Sequence, residues 1–271
     1  MQWQPAVTPD EVHLIEIDAR GGFVEPARIV STDITRGVKG LQQEMQFSSA
    51  TPAQMLDAFR QHAIGETWQA IDDVQWHYDQ KAQASILTIS GTGTVRWDDD
   101  GGGAKSLALP GGGFSPPERR ARALDQNRAA PFYTKPEYSC YVTTVRLPTS
   151  TQEKQWSSKP SFDNRIFGRD YHRAWELRDG SIRMVRGSRV EQPEIDAAAA
   201  QRDNARIAAF DNSMGYISYD PSGQKASVGN GEKVPDTFDF GWTADNVPCA
   251  SPPATSGSKE KTSLIVASKP H

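Results

Sequence analysis

The sequence predicts a mainly-β protein: a β-sandwich with two or three helices packed at its edges and a disordered C-terminal tail. Three observations point there. Up to about residue 190, β-branched and aromatic residues recur in short alternating runs bounded by Gly, Pro and Asp. Helical spacing is confined to a few stretches with start and stop signals. Past about residue 220 the chain turns to Gly, Ser, Pro and Lys, as in "DPSGQKASVGNGEKVPD" and "PCASPPATSGSKEKTS", a composition that buries too little apolar surface to pack. The expected organisation is a β-sandwich region over 8–220, with a possible seam near 110–130, and a low-complexity, mostly disordered tail over 221–271.

In chain order, "VHLIEIDA" reads as a strand ended by Gly21-Gly22. "FVEPARIVSTDI" reads as an edge or bulged strand, because Pro26 cannot donate to a ladder. "GLQQEMQFS" reads as a strand with Leu41, Met45 and Phe47 in alternation with one slip. "TPAQMLDAFRQHAIG" is helical: Thr51 caps it, Pro52 opens it, Gly65 follows it, and Met55, Leu56, Phe59 and Ala63 share a face. "DDVQWHYD" and "ASILTISGTGTVRW" are strands, and 98–103, "DDDGGG", is a turn. "SPPERRARAL" has Ser115 and Glu118 at capping-box spacing and reads as a short helix. "EYSCYVTTVRLP" is a strand. Asp179-Gly180 sits between two alternating runs, the strongest short hairpin signal. "EQPEIDAAAAQRDNARIAAFDN" reads as a helix near 192–210 with Ile195, Ala199, Ile207 and Phe210 buried, and "TFDFGWTAD" as a short sticky segment inside the tail.

Composition bounds function. The 271 residues carry a formal net charge of -4 and a pI near 5.8, the wrong balance for a broad nucleic-acid footprint. Hydrophobic residues make up 37% and the mean hydropathy is -0.62. No apolar run approaches the ~18 residues of a membrane-spanning helix. The start "MQWQPAVTPDEVHLIEID" lacks the basic and apolar regions of a secretory signal, so the chain is expected either to be cytoplasmic or to be part of something longer.

The sharpest chemical question is "GRDYHRAWELRDG". Cys140, His172 and Asp179 are the residue types of a thiol hydrolase or transferase. Against that reading, Cys140 sits inside "YSCYVTTV", mid-strand and far from the helix N-terminus that usually lowers a thiol pKa. A structural cysteine is expected, and no catalytic residue is assigned. The sequence leaves the pairing of Cys140 with Cys249 open. His13, His62, His77 and His271 show no metal-ligand spacing, and the aspartates at 98–100 lack the alternating ligands of a calcium loop; no metal or cofactor is expected. Arg119, Arg120, Arg122 and Arg128 cluster around the expected short helix. Arg169, Arg173, Arg178, Arg183, Arg186 and Arg189 line the hairpin, with Arg173 and Arg183 expected on one face and Arg186 on the other. A third reading, a carbohydrate- or polymer-binding sandwich, needs a row of exposed Trp76, Trp97 or Trp175 rings.

The order of pieces also carries a resemblance. A strand ending "IDARGG" is followed by a β stretch with one helix, then "NRAAPFYTKPEYSCYVTTVRLP", "YHRAWELRDGSIRMVRGSRVEQPEI" and an alanine-rich helix ending "AFDNSMGYISYD". Over about residues 3–219 this resembles the C-terminal β region of bacterial transglutaminase-like (papain-type core) proteins that also carry an N-terminal β domain of unknown function. The catalytic core of that family has no counterpart here, so none of its catalytic residues carries over. The resemblance implies a non-catalytic accessory module that packs against, or presents substrate to, a transglutaminase-like domain in cis or in trans. It implies export to the periplasm or cell envelope, and a chain that is a truncated or split product.

Overall fold

The structure, a computed structural model, describes residues 3–63, 67–159, 161–210, 214–223 and 249. The strands are β1 Glu11–Asp18, β2 Ala27–Arg36, β3 Ala70–Asp79, β4 Ala84–Gly93, β5 Asp98–Asp99, β6 Lys105–Ala108, β7 Phe132–Tyr133, β8 Tyr138–Arg146, β9 Trp156–Ser158, β10 Phe162–Ile166, β11 Arg169–Arg178, β12 Ser181–Val190, β13 Glu194–Ile195 and β14 Tyr216–Tyr219. The helices are α1 Gly37–Phe47, α2 Pro52–Ala63 and α3 Ala197–Arg206. The protein is mainly β, as the alternating runs predict.

Eight strands form one sheet in the order β10-β11-β12-β8-β1-β2-β4-β3. Its two antiparallel halves meet at β1 and β8, which run parallel in a full ladder from Glu11↔Ser139 to Asp18↔Arg146. A second sheet, β5-β6-β14-β9, covers the inner face of the first. Side chains of a strand alternate between faces, so Ile17, Ile29, Val145, Ile182, Met184 and Trp175 all point inward and meet Leu107, Trp156 and Ile217 of the small sheet. Helix α2 covers the β3 end of the same face through buried Met55, with Arg60 donating to the Ile71 carbonyl at 2.9 Å. Trp156 is fully buried at the centre of this core. Its ring lies 5.6 Å from Trp97 and 5.2 Å from Tyr219, and its indole N–H donates to Thr151 Oγ1 at 2.9 Å.

The outer face has its own buried cluster: Val12, Ile34, Ile86, Cys140, Val142, Ala174 and Val185. Cys249, the one described residue beyond Gly223, belongs to it and is disulfide-bonded to Cys140 across 109 positions of sequence. Gly187 makes room for it. A Cβ there would stand 1.4 Å from the Cys249 carbonyl oxygen, so no residue with a side chain fits while Cys249 is seated.

Five local expectations are corrected. Strand β2 is neither an edge nor bulged: it starts at Ala27, just past Pro26, and pairs without a break with β1 and β4. Residues 37–47 are helical, not extended; Leu41 and Met45 are one helical turn apart, a spacing that a short strand pattern with a slip imitates. Residues 115–123 form neither helix nor strand, because Pro117 disfavours helical backbone at Pro116 and cancels the capping signal. Here the chain is an extended strap clipped to α3, with the Arg120 N–H donating to Asn204 Oδ1 at 2.9 Å and Asn204 Nδ2 donating back to the Arg120 carbonyl at 2.7 Å. The later helix begins at Ala197, where the Asp196 carboxylate caps the Ala199 N–H at 2.6 Å. Pro193 and Ile195 precede it, and Ile195 is buried from strand β13 instead. Finally, the two-residue turn Asp179-Gly180 pairs Arg178 with Ser181, so Arg173 lies directly opposite Arg186 and shares its inward face, while Arg183 opposes Glu176 on the outer face. The tail expected to be disordered, with its "TFDFGWTAD" segment, lies outside the described residues apart from 221–223 and Cys249.

Candidate interaction surfaces

One register crosses the outer face through Asp163, His172, Gly187 and Cys140. It puts His172 and Cys140 on the same face, two strands apart. The histidine is buried, and its Nδ1 lies 2.6 Å from Asp163 Oδ1. The acid that orients it is therefore Asp163, not Asp179, which stands at the hairpin tip with its side chain 91% exposed. Sequence reasoning missed Asp163 because the β10–β11 pairing depends on the tight turn at Phe167-Gly168, where both residues have positive φ. The row has acid, imidazole and sulfur in order, but the sulfur is half of a disulfide and has no thiolate to offer.

Trp76, Trp97 and Trp175 do not form an external row. Trp175 is buried, and Trp76 and Trp97 are half-buried on the inner core. Trp76 packs edge-on to Phe47 and donates to Ser85 Oγ at 2.8 Å.

Nor do Arg169, Arg173 and Arg186 of the hairpin form an open patch. Arg173 is 2% exposed and donates to the Gly112 carbonyl at 3.0 Å. Arg186 lies between the rings of Tyr141 and Phe114, 4.2 and 5.0 Å from their centres. Burial there pushes its guanidinium below its ordinary pKa, with Arg173 adding repulsion. Arg169 binds Ser188 at 2.9 Å and Glu137 at 3.0 Å. Near the strap, Arg122 covers the Phe132 ring at 4.5 Å. These residues hold loops onto the sheet more than they present charge.

Asp98 and Asp99 form β5, and only the residues after them make the expected turn. The Gly101 and Gly102 N–H groups donate to the Asp99 and Asp100 carboxylates, both at 2.9 Å. No group of three or more metal-ligating side chains is assembled among the described residues. His13 pairs with Asp33 at 2.5 Å and stacks on Tyr141 at 4.3 Å.

The surface feature that stands out is α1. Val38, Leu41 and Met45, 72%, 47% and 80% exposed, form one apolar stripe over two helical turns. The opposite side of the helix is pinned to the sheet at Gly40, where an added Cβ would come within 2.4 Å of the Thr35 carbonyl oxygen. Lys39 pairs with Glu11 of β1 and Gln80 Nε2 donates to Glu44 at 3.3 Å. The stripe is thus held in a fixed orientation and flanked by polar residues. No helix of the described residues is long and apolar enough to cross a membrane. Comparison with family models, with curated proteins and with solved structures finds no match.

Proposed function

We propose that this chain is a non-catalytic accessory module that docks onto a transglutaminase-like domain, in cis or in trans, through the exposed stripe of α1. The observation that carries the reading is that stripe: three large apolar side chains turned outward on a helix whose other face is fixed. Isolated exposed apolar residues are ordinary on a protein surface, whereas a contiguous set with a polar rim marks a contact site. The Cys140–Cys249 bridge supports the same reading twice. It removes the one nucleophile the thiol-enzyme reading requires, and it suits an oxidising compartment such as the periplasm or envelope. The interior placement of Trp76, Trp97 and Trp175 weighs against a polymer-binding row.

The test is a pair of substitutions, Leu41→Glu and Met45→Glu. Both sites are exposed, so stability should change by no more than about 0.5 kcal/mol. Association with a transglutaminase-like core domain, measured by titration calorimetry, should weaken at least about tenfold, which corresponds to ~1.4 kcal/mol. Unchanged association in the double variant would remove α1 as the docking element.

A further inference from the structure

At the end of the large sheet remote from α1, the outer face becomes polar. Two adjacent registers cross it: Glu16, Thr144, Arg183 and Glu176, then Asp18, Arg146, Ser181 and Arg178. A cleft of ≈ 240 Å³ lies over these rows. A second, of ≈ 480 Å³, adjoins it under the 147–151 segment and the hairpin tip. Arg146, Asp179 and Ser181 line both.

The walls are tied down. The Leu147 N–H donates to the Gly180 carbonyl at 2.9 Å, and the Gly180 N–H donates to Glu153 at 2.9 Å. Thr149 donates to the Arg20 carbonyl through its N–H at 3.3 Å and its hydroxyl at 3.2 Å. A site fixed in this way loses little freedom when it binds.

The cations of the clefts are not equivalent. Arg20 grips Asp18 with two hydrogen bonds, at 2.8 and 2.6 Å, and these hold the Asp18 carboxyl below the usual carboxylate range. Arg183 donates to Thr144 Oγ1 at 3.2 Å. The Arg146 guanidinium makes no side-chain hydrogen bond among the described residues; it is held only by longer ion pairs to Glu16 and Asp18, at 3.8 and 3.9 Å. Arg146 lines both clefts, and the planar fork of donors on its side chain matches a carboxylate. The surrounding charges then narrow the ligand. In the first cleft Arg146, Arg178 and Arg183 are balanced by Glu16, Glu176 and Asp179; in the second Arg20 and Arg146 are balanced by Glu153 and Asp179. A balanced lining gives no net attraction for a polyanion. It suits a chain that is neutral along its backbone and ends in one carboxylate.

We propose that this double cleft binds a peptide through its free C-terminal carboxylate, with Arg146 as the anchoring residue and the ≈ 480 Å³ pocket holding the last residues. The site is independent of the α1 contact, which lies at the opposite strand ends, so either can fail without the other. The probes are acetyl-trialanine as the free acid and as the C-terminal amide, titrated into the full chain while backbone amide resonances are followed. The acid should saturate with shifts concentrated at 146–151 and 179–181. The amide should bind at least about tenfold more weakly, since it loses the charge-assisted pair. Arg146→Gln should lose the acid response while every resonance outside the cleft stays in place, and Arg146→Lys should recover part of it. Equal binding of acid and amide, a full response in Arg146→Gln, or no shift up to ~10 mM peptide, far above a specific affinity, would each overturn the assignment.

Discussion

Cys249→Ser lowers the unfolding free energy by about 4–5 kcal/mol, the value expected when a cross-link closing a loop of roughly 110 residues is removed. For a chain of this size that corresponds to a fall in Tm of roughly 10 °C. Reducing agent added to the parent protein reproduces the fall, and reductant added to the variant does nothing further. Gly187→Ala gives a loss of similar kind by a different route, because its Cβ cannot coexist with the seated Cys249 carbonyl. The two changes disable one contact, so their effects do not add. Gly187→Ala made in the Cys249→Ser background costs much less than in the parent. Full additivity in that cycle would mean that Cys249 does not sit on Gly187.

Trp156→Ala is the second large effect. This ring is fully buried between the sheets and touches Phe23, Trp97 and Tyr219. Truncation removes those contacts and the hydrogen bond to the Thr151 hydroxyl, which still donates to the Pro148 carbonyl, and leaves a cavity. The expected cost is about 3–5 kcal/mol, read from denaturant midpoints. Trp156 belongs to the inner core and the disulfide to the outer face, so Trp156→Ala and Cys249→Ser should add to within about 0.5 kcal/mol. A strong departure from additivity would mean that the two faces do not form separate packing units.

Much of this architecture was legible because it is written in local chemistry. Thr51-Pro52 opens a helix, Asp179-Gly180 makes a hairpin, and the alternation of Ile86 to Ile89 assigns faces, all through interactions between near neighbours in sequence. What escaped depends on distant partners. Helix α1 imitates a strand because Leu41, Met45 and Phe47 fit an alternating run with one slip as readily as a helical spacing. The strap at 115–123 takes its backbone partners from Asn204, which no local pattern reveals. Which arginines share a face follows from a hairpin sum, not from spacing along one strand, so Arg173 and Arg186 were separated when they are paired. Asp163 was invisible for the same reason: its link to His172 is a cross-strand register.

The candidate site was less legible than the fold. Cys140 was correctly placed inside a strand, but its bond to Cys249 spans 109 positions, and sequence alone left that pairing open. Arg146 gave no motif at all. Its distinction lies in what its neighbours are already holding, which only the assembled cleft displays.

The most direct test of the account is a thiol assay on protein isolated from an oxidising compartment. Alkylate the native chain with iodoacetamide across a range of pH, then the denatured, unreduced chain, and map the linked peptides. The account predicts no alkylation at Cys140 in either state and a peptide pair joining Cys140 to Cys249. Rapid alkylation of Cys140 in the native protein at a pH well below the ~8.5 of a free thiol would mean an activated thiolate. That outcome would contradict the non-catalytic reading and return Cys140 to the role of a nucleophile.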